Sequence, residues 1–91
     1  MFILTDKHVE RLLRTPDNDL VDFIMSLSNL SRREQEVLNL CARQKLTREE
    51  AAEELDRSVD AVQKWYRDGI TKVRRTMSGK WWAVRLAILL Y

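Results

Sequence analysis

With 91 residues, 45% of them hydrophobic and 33% charged, the chain is sized for one small globular domain, and it is too apolar to be a disordered polyelectrolyte. A single cysteine excludes an internal disulfide framework and a cysteine-based zinc site, while two glycines and one proline leave little material for hairpins. The net charge of +2 becomes informative only when it is divided along the chain.

The opening, Met-Phe-Ile-Leu-Thr-Asp, lacks a basic leader and its apolar run is too short for a signal peptide, so a cytoplasmic protein is expected. Thr5-Asp6 offers a start for a first helix over about 6–14. His8 reads as structural or solvent-facing, since its spacing suits neither a metal site nor a catalytic triad. Thr15-Pro16-Asp17 supplies a cap, a proline for the first helical position and acid in the first turn, placing a second helix at 16–28.

Ser31-Arg32-Arg33-Glu34 and Thr47-Arg48-Glu49-Glu50 both have the form of a capping box. They open helices expected at 32–43 and 48–55. Val37, Leu38, Leu40 and Cys41 form the buried face of the former, with Cys41 as a small hydrophobe. Ala51, Ala52 and Leu55 form that of the latter, and the two alanines allow a neighbour close approach. Ser58-Val59-Asp60 caps a fifth helix, 59–77, whose inner stripe is Val62, Trp65, Tyr66, Gly69, Ile70 and Val73. A last, apolar helix is expected near 80–90. No segment alternates as a strand would, so the fold class is all-α: one domain, 1–91, built as a helix-turn-helix bundle of five to six helices. Its parts are N-terminal helices at 1–29, a core at 30–77 and an apolar end at 78–91.

The charge is partitioned. Residues 57–80 hold Arg57, Lys64, Arg67, Lys72, Arg74, Arg75 and Lys80 against Asp60 and Asp68, a net of +5. Residues 47–56 hold Arg48 against Glu49, Glu50, Glu53, Glu54 and Asp56, a net of −4. A support helix, a three-residue turn and a basic second helix are what a helix-turn-helix requires to enter the DNA major groove. A solvated helix face would account for such a run equally well if charge were the sole evidence. With 62, 65, 69 and 73 inward, the early outward set is Val59, Asp60, Gln63, Lys64 and Arg67. Gln63 has the amide geometry for adenine, Lys64 and Arg67 suit guanine or phosphate, and Asp60 can accept from cytosine. Thr47, Arg48, Arg57 and Lys72 complete the expected DNA-binding set. Lys72, Arg74 and Arg75 fit phosphate contacts or simple solubility.

Leu30-Ser31-Arg32-Arg33-Glu34-Gln35-Glu36-Val37-Leu38-Asn39-Leu40 resembles the opening of the DNA-binding domain shared by region four of bacterial sigma factors and LuxR-type response regulators. The likeness continues through Leu46-Thr47-Arg48-Glu49-Glu50-Ala51-Ala52-Glu53-Glu54-Leu55 and Ser58-Val59-Asp60-Ala61-Val62-Gln63-Lys64. The spacing between the blocks fits the sigma version; the LuxR version is one residue shorter. The resemblance, over about residues 30–75, implies a four-helix domain whose last helix reads the major groove. It also implies contact with RNA polymerase, or dimerisation as in LuxR-type domains. The portion of a sigma factor that melts the promoter is not seen upstream, so a free-standing small regulator of the phage type, or half of a split factor, is expected.

Three departures from that pattern involve four residues. Asp56 and Arg57 stand where a turn glycine and an apolar residue are usual, and Asp tolerates the left-handed conformation. Ala51 replaces an isoleucine and leaves volume for Trp65. Gly69, in mid-helix, implies either a neighbour pressed against it or a break at Asp68-Gly69.

The end, Trp81-Trp82-Ala83-Val84-Arg85-Leu86-Ala87-Ile88-Leu89-Leu90-Tyr91, is too short to span a bilayer. It suits packing on Leu12, Leu13, Val21, Phe23, Ile24 and Leu27, a homodimer contact, or interfacial anchoring. A dimer would set two reading helices at half-sites about one helical turn apart. The function expected is a sequence-specific DNA-binding transcription regulator with double-stranded DNA as partner. The alternative is an RNA polymerase- or sigma-factor-binding protein using the same scaffold. No nucleophile, metal cluster or phosphate loop is legible, so neither catalysis nor a cofactor is expected.

Overall fold

The computed structural model describes residues 5–79. Five α-helices follow in order: α1 (Asp6–Leu13), α2 (Asn18–Leu27), α3 (Arg32–Leu38), α4 (Arg48–Leu55) and α5 (Val59–Gly79), with a π-helical turn at Asn39–Arg43 between α3 and α4. There is no strand among the described residues. The expected helix near 80–90, and with it the packing or dimer role of the apolar end, lies outside the described residues.

Capping sets most helix starts. Ser31 and Thr47 each form a complete capping box, the amides of Glu34 and Glu50 donating to their hydroxyls while the two carboxylates accept from the cap amides. Thr5 forms a third box with His8, whose Nδ1 accepts from the Thr5 amide at 3.2 Å. Ser58 accepts from the Ala61 amide at 3.1 Å and so starts α5. The second helix departs from expectation. Its cap is Asp17, which accepts from the Leu20 amide at 3.1 Å, and Pro16 lies ahead of the helix rather than in its first turn. A carboxylate nearer the helix outcompeted the Thr15 hydroxyl.

The helix expected over 32–43 changes character at Asn39. The α-pattern ends at Leu38, and the Gln44 amide bonds the Asn39 carbonyl at 3.0 Å to close a π-type turn. Such a turn houses one residue more than an α-helix would over the same rise. Lys45 then adopts a left-handed conformation, φ 61°, and the Leu46 amide returns to the Leu40 carbonyl at 2.9 Å. Arg43, in this turn, donates to Asp22 at 2.7 Å and Asn18 at 2.8 Å, tying the turn to α2.

The core runs through every helix: Val9, Leu13, Leu20, Val21, Ile24, Met25, Val37, Leu38, Cys41, Ala42, Ala51, Ala52, Val62, Tyr66, Ile70 and Val73 are buried together. α5 lies at the centre, packed against each of the other four helices. It is unbroken through Gly69, and the reason is close approach. A Cβ built on Gly69 would stand 3.1 Å from Leu38 Cδ1 and 3.2 Å from Leu38 Cγ, so hydrogen at that position lets α3 and α5 touch. Two expected inward residues are displaced. Trp65 is half-buried at the margin of the core, with the Arg33 guanidinium 5.7 Å from its ring centroid. Phe23 is 39% exposed, although its neighbours Val21 and Ile24 are buried. No helix among the described residues is long and apolar enough to cross a membrane.

Candidate nucleic-acid interface

The junction of α4 and α5 is built by a left-handed residue. Asp56 has φ 54° and ψ 50°; its amide donates to the Glu53 carbonyl at 3.2 Å, and the next amide, of Arg57, donates to the Ala52 carbonyl at 3.0 Å. This is the Schellman closure of a helix C-terminus, normally made by glycine. Arg57 is exposed, its guanidinium folded back onto the Asp56 carbonyl at 3.0 Å. The turn therefore needs no apolar residue at 57. Ser58 then restarts the chain as α5 within a short turn of the end of α4.

α5 turns ~100° per residue, so its buried residues Val62, Tyr66, Gly69, Ile70 and Val73 set the opposite face outward. Asp60, Gln63, Lys64, Arg67 and Arg75 are all exposed, and 60, 64, 67, 71 and 75 follow one another along a single stripe. Asp60, Gln63, Lys64 and Arg67 occupy its N-terminal half, as expected. Val59 does not join them. It is half-buried and packs on the core, because an apolar residue in the first turn finds the flank of the bundle.

The remaining expected DNA-binding residues divide. Thr47 is exposed and uses its oxygen as acceptor for Glu50 at 3.1 Å, leaving its hydroxyl proton available. Arg57 is exposed beside the turn. Arg48 and Lys72 have different surroundings. The Arg48 guanidinium lies over the Tyr66 ring, 3.8 Å from its centroid. Lys72 Nζ donates to Glu34 Oε1 at 2.7 Å, and that carboxylate is 7% exposed. Burial alone would raise the Glu34 pKa, but Lys72 and the Ser31 amide together hold it below its ordinary value. Arg74, similarly, is paired with Asp6 of α1 at 2.8 Å. Arg48, Lys72 and Arg74 are thus engaged inside the domain, and tertiary partners, not spacing, are the cause.

Arg33 is a cation beside the candidate face that pattern reading did not single out. It sits at the start of α3, 39% exposed in its side chain, paired with Glu36 at 3.1 Å and placed over Trp65 beside α5. Nothing in its local sequence marks it; only the α3–α5 contact does. Among the described residues no group of three His, Cys, Asp or Glu side chains could hold a metal ion. Cys41 is buried, and burial pushes its thiol up against the opposing influence of nearby Arg48.

Short helices, a tight left-handed turn and a longer, outward-charged second helix define a helix-turn-helix domain. The family model for sigma-70, region 4, matches residues 20–73. That interval covers α2 through most of α5, more than half of the chain, and the protein belongs to the sigma-70 region 4 family. No significant match was found among curated proteins or among solved structures.

Proposed function

We propose that this domain binds duplex DNA sequence-specifically and regulates transcription, with the N-terminal half of α5 in the major groove. The observation that carries the reading is the outward stripe. Asp60, Gln63, Lys64 and Arg67 are exposed on the first turns of a helix whose opposite face is locked into the core. Gln63 supplies a donor and an acceptor for adenine, and Lys64 and Arg67 supply donors for guanine or phosphate. Thr47 and Arg57 stand at the start of the support helix and in the turn, where phosphates flank a docked reading helix. Arg33 and Arg75 extend the positive surface on either side. Membership of the sigma-70 region 4 family supports the same assignment. The domain acts without a cofactor and without catalysis, in the cytoplasm; a homodimer is part of the proposal and depends on the apolar end.

Selection of sites from a random duplex pool tests it. A defined winner is expected, bound in the nanomolar range, with log K falling steeply against log salt. Gln63→Ala and Lys64→Ala should each relax preference at one base position at a cost of ~1–3 kcal/mol. Variants that bind selected and random duplexes as the parent does would remove α5 as the reader.

A second reading has its own observation. Glu49, Glu50, Glu53, Glu54 and Asp56 lie along and just beyond α4, and all five are exposed; such a negative surface suits a basic protein partner. In this reading the scaffold binds RNA polymerase or a sigma factor. Capture of polymerase subunits with no duplex shift at low salt would select it over DNA binding.

A further inference from the structure

Arg48 holds the first position of α4, where a cation can face a DNA phosphate, yet its guanidinium is turned inward. It stacks on Tyr66 of α5, 3.8 Å from the ring centroid. It also stands close enough to Cys41, in the π-helical turn, to oppose the effect of burial on that thiol. One planar cation therefore links α4 to α5. Tyr66 itself is held firmly: it is 6% exposed, within the buried stripe of α5.

The rest of the α4–α5 contact is poor in interlocking shape. The buried residues of α4 are Ala51 and Ala52, and Leu55 is only half-buried. Two methyl groups allow close approach, but they offer little resistance to one helix sliding or rotating on the other. A guanidinium over an aromatic face has a defined placement and a favourable electrostatic energy. It supplies the registration that larger apolar side chains on α4 would otherwise give.

We propose that Arg48 is a positioning residue: by stacking on Tyr66 it fixes the angle between α4 and α5, and so the aim of Gln63, Lys64 and Arg67, without holding a phosphate itself. The proposal rests on the DNA-binding reading for its consequence, though not for its geometry. Lysine retains the charge of Arg48 but lacks the planar group, and phenylalanine retains the ring of Tyr66 but lacks the hydroxyl. These two substitutions separate positioning from phosphate contact.

The test has two arms. In the free protein, residual dipolar couplings of the α4 and α5 amides report the angle between the helices. Arg48→Ala and Arg48→Lys should both change it, and Tyr66→Phe should leave it at the parental value. An angle unchanged in both Arg48 variants overturns the proposal whether or not the protein binds DNA. In the second arm, the selected duplex is titrated over a range of salt. Arg48→Ala and Arg48→Lys are each expected to weaken binding by about 3- to 10-fold, with the salt dependence of the parent. Parental affinity in Arg48→Lys, together with a salt slope reduced by the share of about one phosphate in Arg48→Ala, identifies a phosphate ligand and overturns the proposal. Should no duplex be selected at all, the DNA-binding reading falls while the free-protein couplings still decide the positioning role.

Discussion

Lys72 and Glu34 show how one contact redirects a residue's role. Glu34 already serves as the carboxylate of the α3 capping box, accepting from the Ser31 amide at 2.8 Å. Lys72 reaches the same oxygen from α5, so a cap and an interhelix tie share one buried carboxylate. Because the folded pKa of Glu34 lies below its ordinary value, its stabilising contribution is complete above the unfolded pKa and is lost as pH falls through the lower folded one. Lys72→Met should cost about 1–2 kcal/mol near neutral pH, since the carboxylate stays buried without its cation while the lysine end was partly solvated. The substitution should also move the onset of acid unfolding to higher pH, as burial then dominates the Glu34 titration. Urea unfolding of both proteins at neutral and acid pH checks the two expectations together.

Gly69 poses a contest between two effects of similar size. Alanine gains ~1 kcal/mol of helix propensity, but its Cβ would meet Leu38 at 3.1 and 3.2 Å. Leu38 is fully buried, so its branch has little room to retreat, and overpacking of this kind costs ~1–3 kcal/mol. Gly69→Ala is therefore expected to destabilise by about 1 kcal/mol, read from the thermal midpoint. A stabilised variant would mean that α3 yields.

At the scale of elements, the left-handed positions among the described residues are held by residues other than glycine. Asn29, Lys45 and Asp56 all have positive φ, at 52°, 61° and 54°. Asn and Asp accept this conformation with little strain, whereas Lys has no short polar side chain to support it. Lys45→Gly should accordingly stabilise the domain by about 0.5–1 kcal/mol, with Asp56→Gly giving less. Chemical unfolding of the two variants side by side tests that order. The π-helical turn ahead of Lys45 has a bearing on family likeness too. The sigma-type spacing between the two motif blocks is one residue longer than the LuxR-type spacing, and a turn that houses one extra residue lies in that interval.

For the molecule as a whole, α5 is both the structural axis and the proposed reading element. Its buried stripe packs on all the other helices, so displacement of any of them moves the face that meets a ligand. Arg43 secures α2 through Asp22 and Asn18, Arg74 secures α1 through Asp6, and Lys72 secures α3. These ties consume cations that a charge sum would have offered to phosphates. The salt dependence of duplex binding should therefore be shallower than the basic residues of 57–80 imply. With Lys72 and Arg74 occupied, every phosphate they leave unneutralised makes the slope shallower by ~0.9. Titration at a series of salt concentrations gives this slope directly, and a value matching all the basic residues of that segment would show that the internal ion pairs open on binding.

Much of the architecture was legible in the residues themselves. Capping boxes at Ser31 and Thr47, the Ser58 cap and the inner stripe of α5 are local signals, since each depends on atoms within a turn or two of one another. The same locality made the outward positions of Asp60, Gln63, Lys64 and Arg67 readable without coordinates. Packing decided what spacing could not. Trp65 went to the margin, Val59 left the outward set, Gly69 served close approach, and Arg48 and Lys72 turned inward. Each depends on a partner from another element of the chain: Glu34 is 38 residues from Lys72, and no periodicity encodes that distance. A side chain's direction is set by the helix that carries it, but its role is set by whichever helix happens to lie opposite.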